Sequence, residues 1–301
     1  MSMSENASIL YQNINNKIIN EDQLIEIIKK SDLKNRILLS QYYKASYGSS
    51  LFDEIISKIK GDFGYCLSLL FLSPLEFCIY QIKRGLEKEN EITIEQLTSK
   101  TVEELKLIED IYNKQTKQEL KMDIIKTYKG LVGKNLLNLW DIKRKYNINP
   151  DKNECEKYAE ILSKNNPENW VENENIFKDI FIQCSPDELI LIARYYLKIT
   201  GRNLLDDIEN KTEGYIQILL KEILYNNIMP SELFADKLYL AMKGTGTDED
   251  SLSRILISRF ELDMEDIRNI YKNKYNSNLK DDIISDTSGP YQKHCLYLSE
   301  K

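Results

Sequence analysis

The chain has 301 residues, 42% of them apolar and 30% charged, the proportions of a soluble globular protein with a substantial core. Its net charge of −7 excludes the basic footprint of a nucleic-acid-binding protein. The same charge means that an anionic membrane can be met only through a bridging cation or a local basic patch.

No apolar run reaches the 18 or so residues of a transmembrane helix. Met1–Ser8 lacks the basic-then-apolar order of a secretory signal. The five cysteines (Cys66, Cys78, Cys155, Cys184, Cys295) are scattered without a C-x-x-C pair and read as buried small hydrophobes. A reducing, cytoplasmic setting is expected.

In chain order, Ile18, Leu24, Ile25 and Ile28 predict one helix, and Leu38, Leu39 and Tyr42 a second. Gly48-Ser49-Ser50 breaks the chain before a third apolar-periodic stretch that starts at Leu51. Further on, Lys83-Arg84-Gly85 reads as a basic loop, in its plainest form a solvated surface. Asn147-Ile148-Asn149-Pro150-Asp151-Lys152-Asn153 is polar and turn-rich, the best linker in the chain.

Trp170 sits among Asn166, Glu168 and Asn169. Two readings stand for it: packing at a helix start, or exposure as an anchor at a membrane–water boundary. Near the end, Ser231 and Glu232 after Pro230 fit a helix start, and Tyr291, Leu296 and Leu298 mark the last helix. His294, the single histidine, lies in that apolar stretch and reads as structural. Its isolation leaves neither a Ser-His-Asp site nor an H-E-x-x-H zinc site, so the chain is not expected to be an enzyme.

The most informative stretch is Met242-Lys243-Gly244-Thr245-Gly246-Thr247-Asp248-Glu249-Asp250. Two glycines spaced by one residue let a loop bend so that several carbonyls face one small space. Thr247 with Asp250 fits a helix-capping pattern, and Leu252, Ile255 and Leu256 follow at helical spacing. Clustered carbonyls with one or two carboxylates suit calcium. A tight turn followed by a helix cap is the plainer alternative. A dinucleotide-binding loop is excluded, because no strand-like run precedes the glycines.

The pattern Tyr-x7-Leu-x3-Ile-x5-Gly occurs four times, as Tyr43-Leu51-Ile55-Gly61, Tyr112-Leu120-Ile124-Gly130, Tyr196-Leu204-Ile208-Gly214 and Tyr271-Leu279-Ile283-Gly289. Such self-similarity means an array of like units. In this register the fourth copy resembles the annexin family: Met242 to Glu249 looks like the annexin calcium loop, and Asp286-Thr287-Ser288-Gly289 like its partner segment. The resemblance extends over almost the whole chain, strongest in the last quarter. It includes divergent protist annexins of the alpha-giardin type.

The resemblance implies an all-α fold of four repeats, five helices each, forming a slightly curved disc with the loops on its convex face. Degenerate repeats are expected at 7–72, 74–146 and 154–225, with a linker at 147–153 and an intact calcium loop in 230–301. Calcium would be held by the carbonyls of Met242, Gly244 and Gly246 and the carboxylate of Asp286. The implied function is calcium-dependent, peripheral binding to anionic phospholipid membranes. A giardin-like structural role on the cytoskeleton or flagellum, with weakened membrane binding, is the alternative.

The other three loops depart from the signature. Asn16 and Ile18 stand at the glycine positions of the first repeat, with Lys58 in place of the acid. The second keeps Gly85 but has Glu87 and Thr127, and the third has no glycine and carries Lys211. Lys58 and Lys211 are either filler or cations able to meet a lipid phosphate without calcium. With Trp170 and the loop-tip residue Thr245, they complete the candidate membrane contacts.

Overall fold

Each copy of the tyrosine pattern lays down the same local structure. In the computed structural model, which describes residues 2–146 and 149–301, the tyrosine lies near the end of a long helix. The leucine opens a short helix that also carries the isoleucine, and the glycine begins the next one. Gly61, Gly130, Gly214 and Gly289 all have positive φ (78°, 74°, 59° and 62°). Only glycine adopts that region without strain, which explains its return in every copy.

The tyrosine, leucine and isoleucine of every copy are buried. Each tyrosine hydroxyl donates to an acid eleven positions on: Tyr43 to Glu54 (2.7 Å), Tyr112 to Asp123 (2.8 Å), Tyr196 to Asp207 (2.5 Å) and Tyr271 to Asp282 (2.6 Å). A buried hydroxyl is thereby satisfied in all four copies.

The first quarter comprises α1 (Met3–Asn15), α2 (Glu21–Lys29), α3 (Leu33–Tyr47), α4 (Leu51–Lys58) and α5 (Gly61–Leu69). Then come α6 (Pro74–Lys88), α7 (Ile92–Thr98), α8 (Val102–Thr116), α9 (Leu120–Thr127) and α10 (Leu131–Leu137). The third quarter has α11 (Lys152–Ser163), α12 (Pro167–Glu172), α13 (Glu174–Ile176), α14 (Pro186–Thr200), α15 (Leu204–Lys211) and α16 (Gly214–Ile228). Its α13 runs into a wide π turn at Phe177–Ile182. The last quarter is α17 (Pro230–Met242), α18 (Glu249–Arg259), α19 (Met264–Tyr275), α20 (Leu279–Asp286) and α21 (Gly289–Glu300). No β-strand occurs among the described residues.

Local sequence accounts for the helix ends. Ser2 with Glu5, Thr101 with Glu104 and Ser185 with Glu188 form reciprocal capping boxes at α1, α8 and α14. The long helix that carries the pattern tyrosine in every quarter stops on a left-handed residue: Gly48, Lys117, Gly201 and Asn276. That conformation frees the last carbonyls to bond outside the helix ladder.

The chain forms two compact units. One combines Met1–Phe77 with Ser231–Lys301, and the other is the continuous stretch Cys78–Pro230. In the first unit, Leu10, Leu24, Ile28, Leu51 and Ile55 share one apolar core with Leu238, Leu252, Ile255, Ile267 and Leu298. There Arg36, 1% exposed, donates twice to the Glu261 carboxylate (3.1 and 2.7 Å) and also to the carbonyls of Ser31 and Leu70. The expected linker runs inside the second unit. Its residues Asn147 and Ile148 lie outside the described residues, and Asp151 caps α11.

Candidate calcium loop

The loop between α17 and α18 is built on its two glycines. Met242 is the last, buried residue of α17, and Lys243–Gly246 are exposed. Gly244 and Gly246 take φ of 105° and 97°, a bend that side chains resist. The amide of Asp248 donates to the Ala241 carbonyl (2.7 Å), closing the base of the loop.

The helix start differs from the sequence expectation. Asp248, not Thr247, caps α18, its carboxylate accepting from the Ser251 amide (3.0 Å). Asp250 instead accepts from the Tyr65 hydroxyl (2.7 Å). Thr247 is thereby released for another partner: its hydroxyl contacts both the backbone carbonyl (2.8 Å) and carboxylate Oδ2 (3.2 Å) of Asp286 at the end of α20.

Asp286 is half-buried and takes part in no ion pair among the described residues. An unneutralised carboxylate beside a bent, exposed, carbonyl-bearing loop fits a hard cation that seeks oxygen ligands. Among the described residues no three His, Cys, Asp or Glu side chains gather as a metal cluster. A cation at this loop therefore depends on backbone oxygens.

The annexin family model matches residues 159–223 and 233–298. Human annexin A3 is 32% identical over 97% of this chain and 91% of its own length. The chain belongs to the annexin family.

The structure of annexin III is similar throughout, with a TM-score of 0.88 and 30% identity, covering 100% of this chain and 94% of that one. Calcium-bound alpha-14 giardin shares the fold alone: TM-score 0.81, 17% identity, all of both chains covered. Annexins as a family bind calcium and phospholipid and are generally binding proteins rather than enzymes. No helix among the described residues is long and apolar enough to cross a membrane.

The other three annexin loops are built differently. In the second quarter α6 continues to Lys88, so Lys83-Arg84-Gly85 is helical and not a loop. A Cβ on Gly85 would lie 2.4 Å from the Thr93 hydroxyl and 2.7 Å from its amide, so the glycine serves close packing on α7. Thr127 is simply the last residue of α9.

In the third quarter the expected loop is the short helix α12. Trp170 is 0% exposed and its indole N–H donates to the carbonyls of Leu162 and Asn165, both at 3.2 Å. It packs against Phe181 and Tyr196. The exposed-anchor reading of Trp170 is thus corrected: the polar neighbours face out and the indole faces in. Lys211 pairs with Asp207 (2.9 Å), which Arg202 also neutralises (2.9 Å).

In the first quarter Lys58 donates to Asn15 Oδ1 (2.6 Å) and lies 3.5 Å from Glu54. Its ammonium ties the end of α4 to the last residue of α1, just before the loop, where the fourth quarter has the Thr247–Asp286 link. Ile18 is not part of a helix: α2 starts at Glu21, and Ile18 is 86% exposed. Thr245 lies exposed on the fourth loop.

Proposed function

We propose that this annexin binds anionic phospholipid membranes peripherally and reversibly, on the cytoplasmic side, through calcium held in the fourth-repeat loop. The reading is carried by one observation: Thr247 pins a doubly bent glycine loop to Asp286, a carboxylate without a basic partner among the described residues. The carbonyls of Met242, Gly244 and Gly246 and the Asp286 carboxylate would hold the ion. Calcium supplies the positive bridge that an acidic chain needs to meet lipid phosphates.

The residues around it have separate tasks. Asp248 fixes the start of α18, Thr247 sets the distance from loop to acid, and exposed Thr245 and Lys243 face the partner surface. A single carboxylate implies weak binding in solution, on the order of 10⁻⁴–10⁻³ M. Lipid and calcium then tighten each other's binding by the same factor. With one complete loop out of four, the avidity of roughly 10²–10⁴ that several joined sites provide is not available.

A giardin-like structural role, with attachment to cytoskeletal protein, is the second reading. It is favoured by the helical or lysine-tied state of the other three loops. Co-sedimentation with phosphatidylserine vesicles across a calcium titration, comparing wild type with Asp286→Ala, tests the first reading. Calcium-dependent pelleting that the mutant loses supports it. Pelleting with microtubules or filaments, and none with lipid, moves the second reading ahead.

A further inference from the structure

We propose that the first-repeat loop, Asn16–Asn20, is a metal-free lipid-binding site. Ile18 enters the boundary between headgroups and acyl chains of an anionic membrane, and the Lys17 ammonium meets lipid phosphate. This rests on the reading above only in taking a lipid surface as the partner.

Single exposed apolar side chains are ordinary on protein surfaces. Three observations set this one apart. The first is position: by the internal repeat, Asn16, Ile18 and Lys58 occupy the places of Gly244, Gly246 and Asp286. At 86%, Ile18 is the most exposed large apolar side chain among the described residues.

The second is rigidity. Asn13, 2% exposed, donates to the Asn20 carbonyl (2.9 Å) and to Gln23 (3.1 Å), and accepts from the Asn20 amide (2.8 Å). Asn20 in turn accepts from the Gln23 amide (3.0 Å). Lys58 braces the other side through Asn15, and Ile19 packs against the core. The neighbouring isoleucine thus points in while Ile18 stands out on a held loop. A held tip loses little conformational freedom on binding.

The third is charge. Lys17 is exposed and, among the described residues, has no hydrogen-bond or ion-pair partner. Of the nearby acids, Asp22 is paired with Lys293 (2.9 Å) and Glu54 lies against Lys58; Glu21 follows on α2. A bare isoleucine beside an uncommitted ammonium matches the layered chemistry of an anionic lipid surface. In the fourth loop a cation is borrowed from solution; here Lys58 provides the brace and Lys17 the contact.

The test uses the full chain with phosphatidylserine vesicles in excess chelator. Wild type should bind, and Ile18→Ala should weaken that binding by about tenfold or more, the scale of burying one aliphatic side chain. Lys17→Gln should weaken it on phosphatidylserine but not on phosphatidylcholine vesicles. Ile18→Trp should blue-shift its emission on vesicles without calcium. Unchanged thermal unfolding of each variant confirms that it is folded.

No binding in chelator, or equal binding by Ile18→Ala, overturns the proposal. The calcium arm separates the two ideas. Binding that appears only with calcium and is lost in Asp286→Ala leaves the fourth loop standing and this one refuted. Chelator-resistant binding lost in Ile18→Ala, with no calcium response, does the reverse. Capture of a protein by Ile18, with no lipid binding, also overturns it.

Discussion

The Thr247 hydroxyl sits 2.8 Å from the backbone carbonyl of Asp286 and 3.2 Å from its carboxylate. One side chain therefore sets both the position and the orientation of the candidate calcium acid. Thr247→Val keeps the shape and removes both contacts, while the α18 cap remains on Asp248. The expected outcome is a calcium midpoint for vesicle binding raised by about tenfold, with stability reduced by only ~1 kcal/mol. Asp248→Ala should instead cost about 0.5–2 kcal/mol through the lost cap. Vesicle titration beside thermal unfolding separates the two.

Glu261→Gln should destabilise strongly, by about 3 kcal/mol, because it strands the buried Arg36 guanidinium. Burial alone would raise the Glu261 carboxyl, but Arg36 and then Lys301 outweigh it and hold it below the ordinary 4.5. A depressed folded value means that the contribution is present above the unfolded value and is lost as pH falls through the folded one. Urea unfolding at pH 7 should therefore show the full gap between wild type and variant. The gap should close as the pH is lowered well below 4.5.

Lys117→Gly should stabilise. Lys117 has φ of 61°, and the equivalent places in the first and third quarters, Gly48 and Gly201, already hold glycine. Relief of the left-handed strain is expected to contribute roughly 1 kcal/mol, less the extra freedom glycine gives the unfolded chain. Urea denaturation with an unchanged slope would confirm it.

Trp170→Phe should lower stability by about 1–3 kcal/mol, since it leaves space and removes the N–H donated to Leu162 and Asn165. Vesicle binding should not change. A loss of binding with normal stability would restore Trp170 as a contact residue.

Much of this was legible in the sequence. The Tyr-Leu-Ile-Gly pattern located the same helix junction four times, because burial and a positive-φ turn each demand a particular residue type. The glycine loop and its distant acid were likewise readable, and Thr247 brings them together.

Other features were hidden for physical reasons. Thr247 fits a cap pattern, but Asp248 is one place closer to the helix and wins the amide. Ile18 continues an apolar period on paper, yet the buried Asn13 bends the chain before the helix begins. Gly85 looked like a loop residue because close helix packing and tight turns both select glycine. The partners of Lys58 and Lys211 could have been found: Glu54 and Asp207 stand four residues earlier, at ion-pair spacing on a helix. The Arg36–Glu261 pair, 225 residues apart in the chain, carries no local signal at all.

The shared core of the first and last quarters sets an order on synthesis. Cys78–Pro230 is unbroken and can close its core as it leaves the ribosome. Leu10, Leu24 and Ile55 must wait for Leu252, Ile267 and Leu298 to be translated. At about 5–20 residues per second, that wait lasts on the order of ten seconds or more. For that interval the nascent first quarter leaves uncovered the part of its apolar surface that packs on the last quarter, and it is there that a chaperone would be most needed.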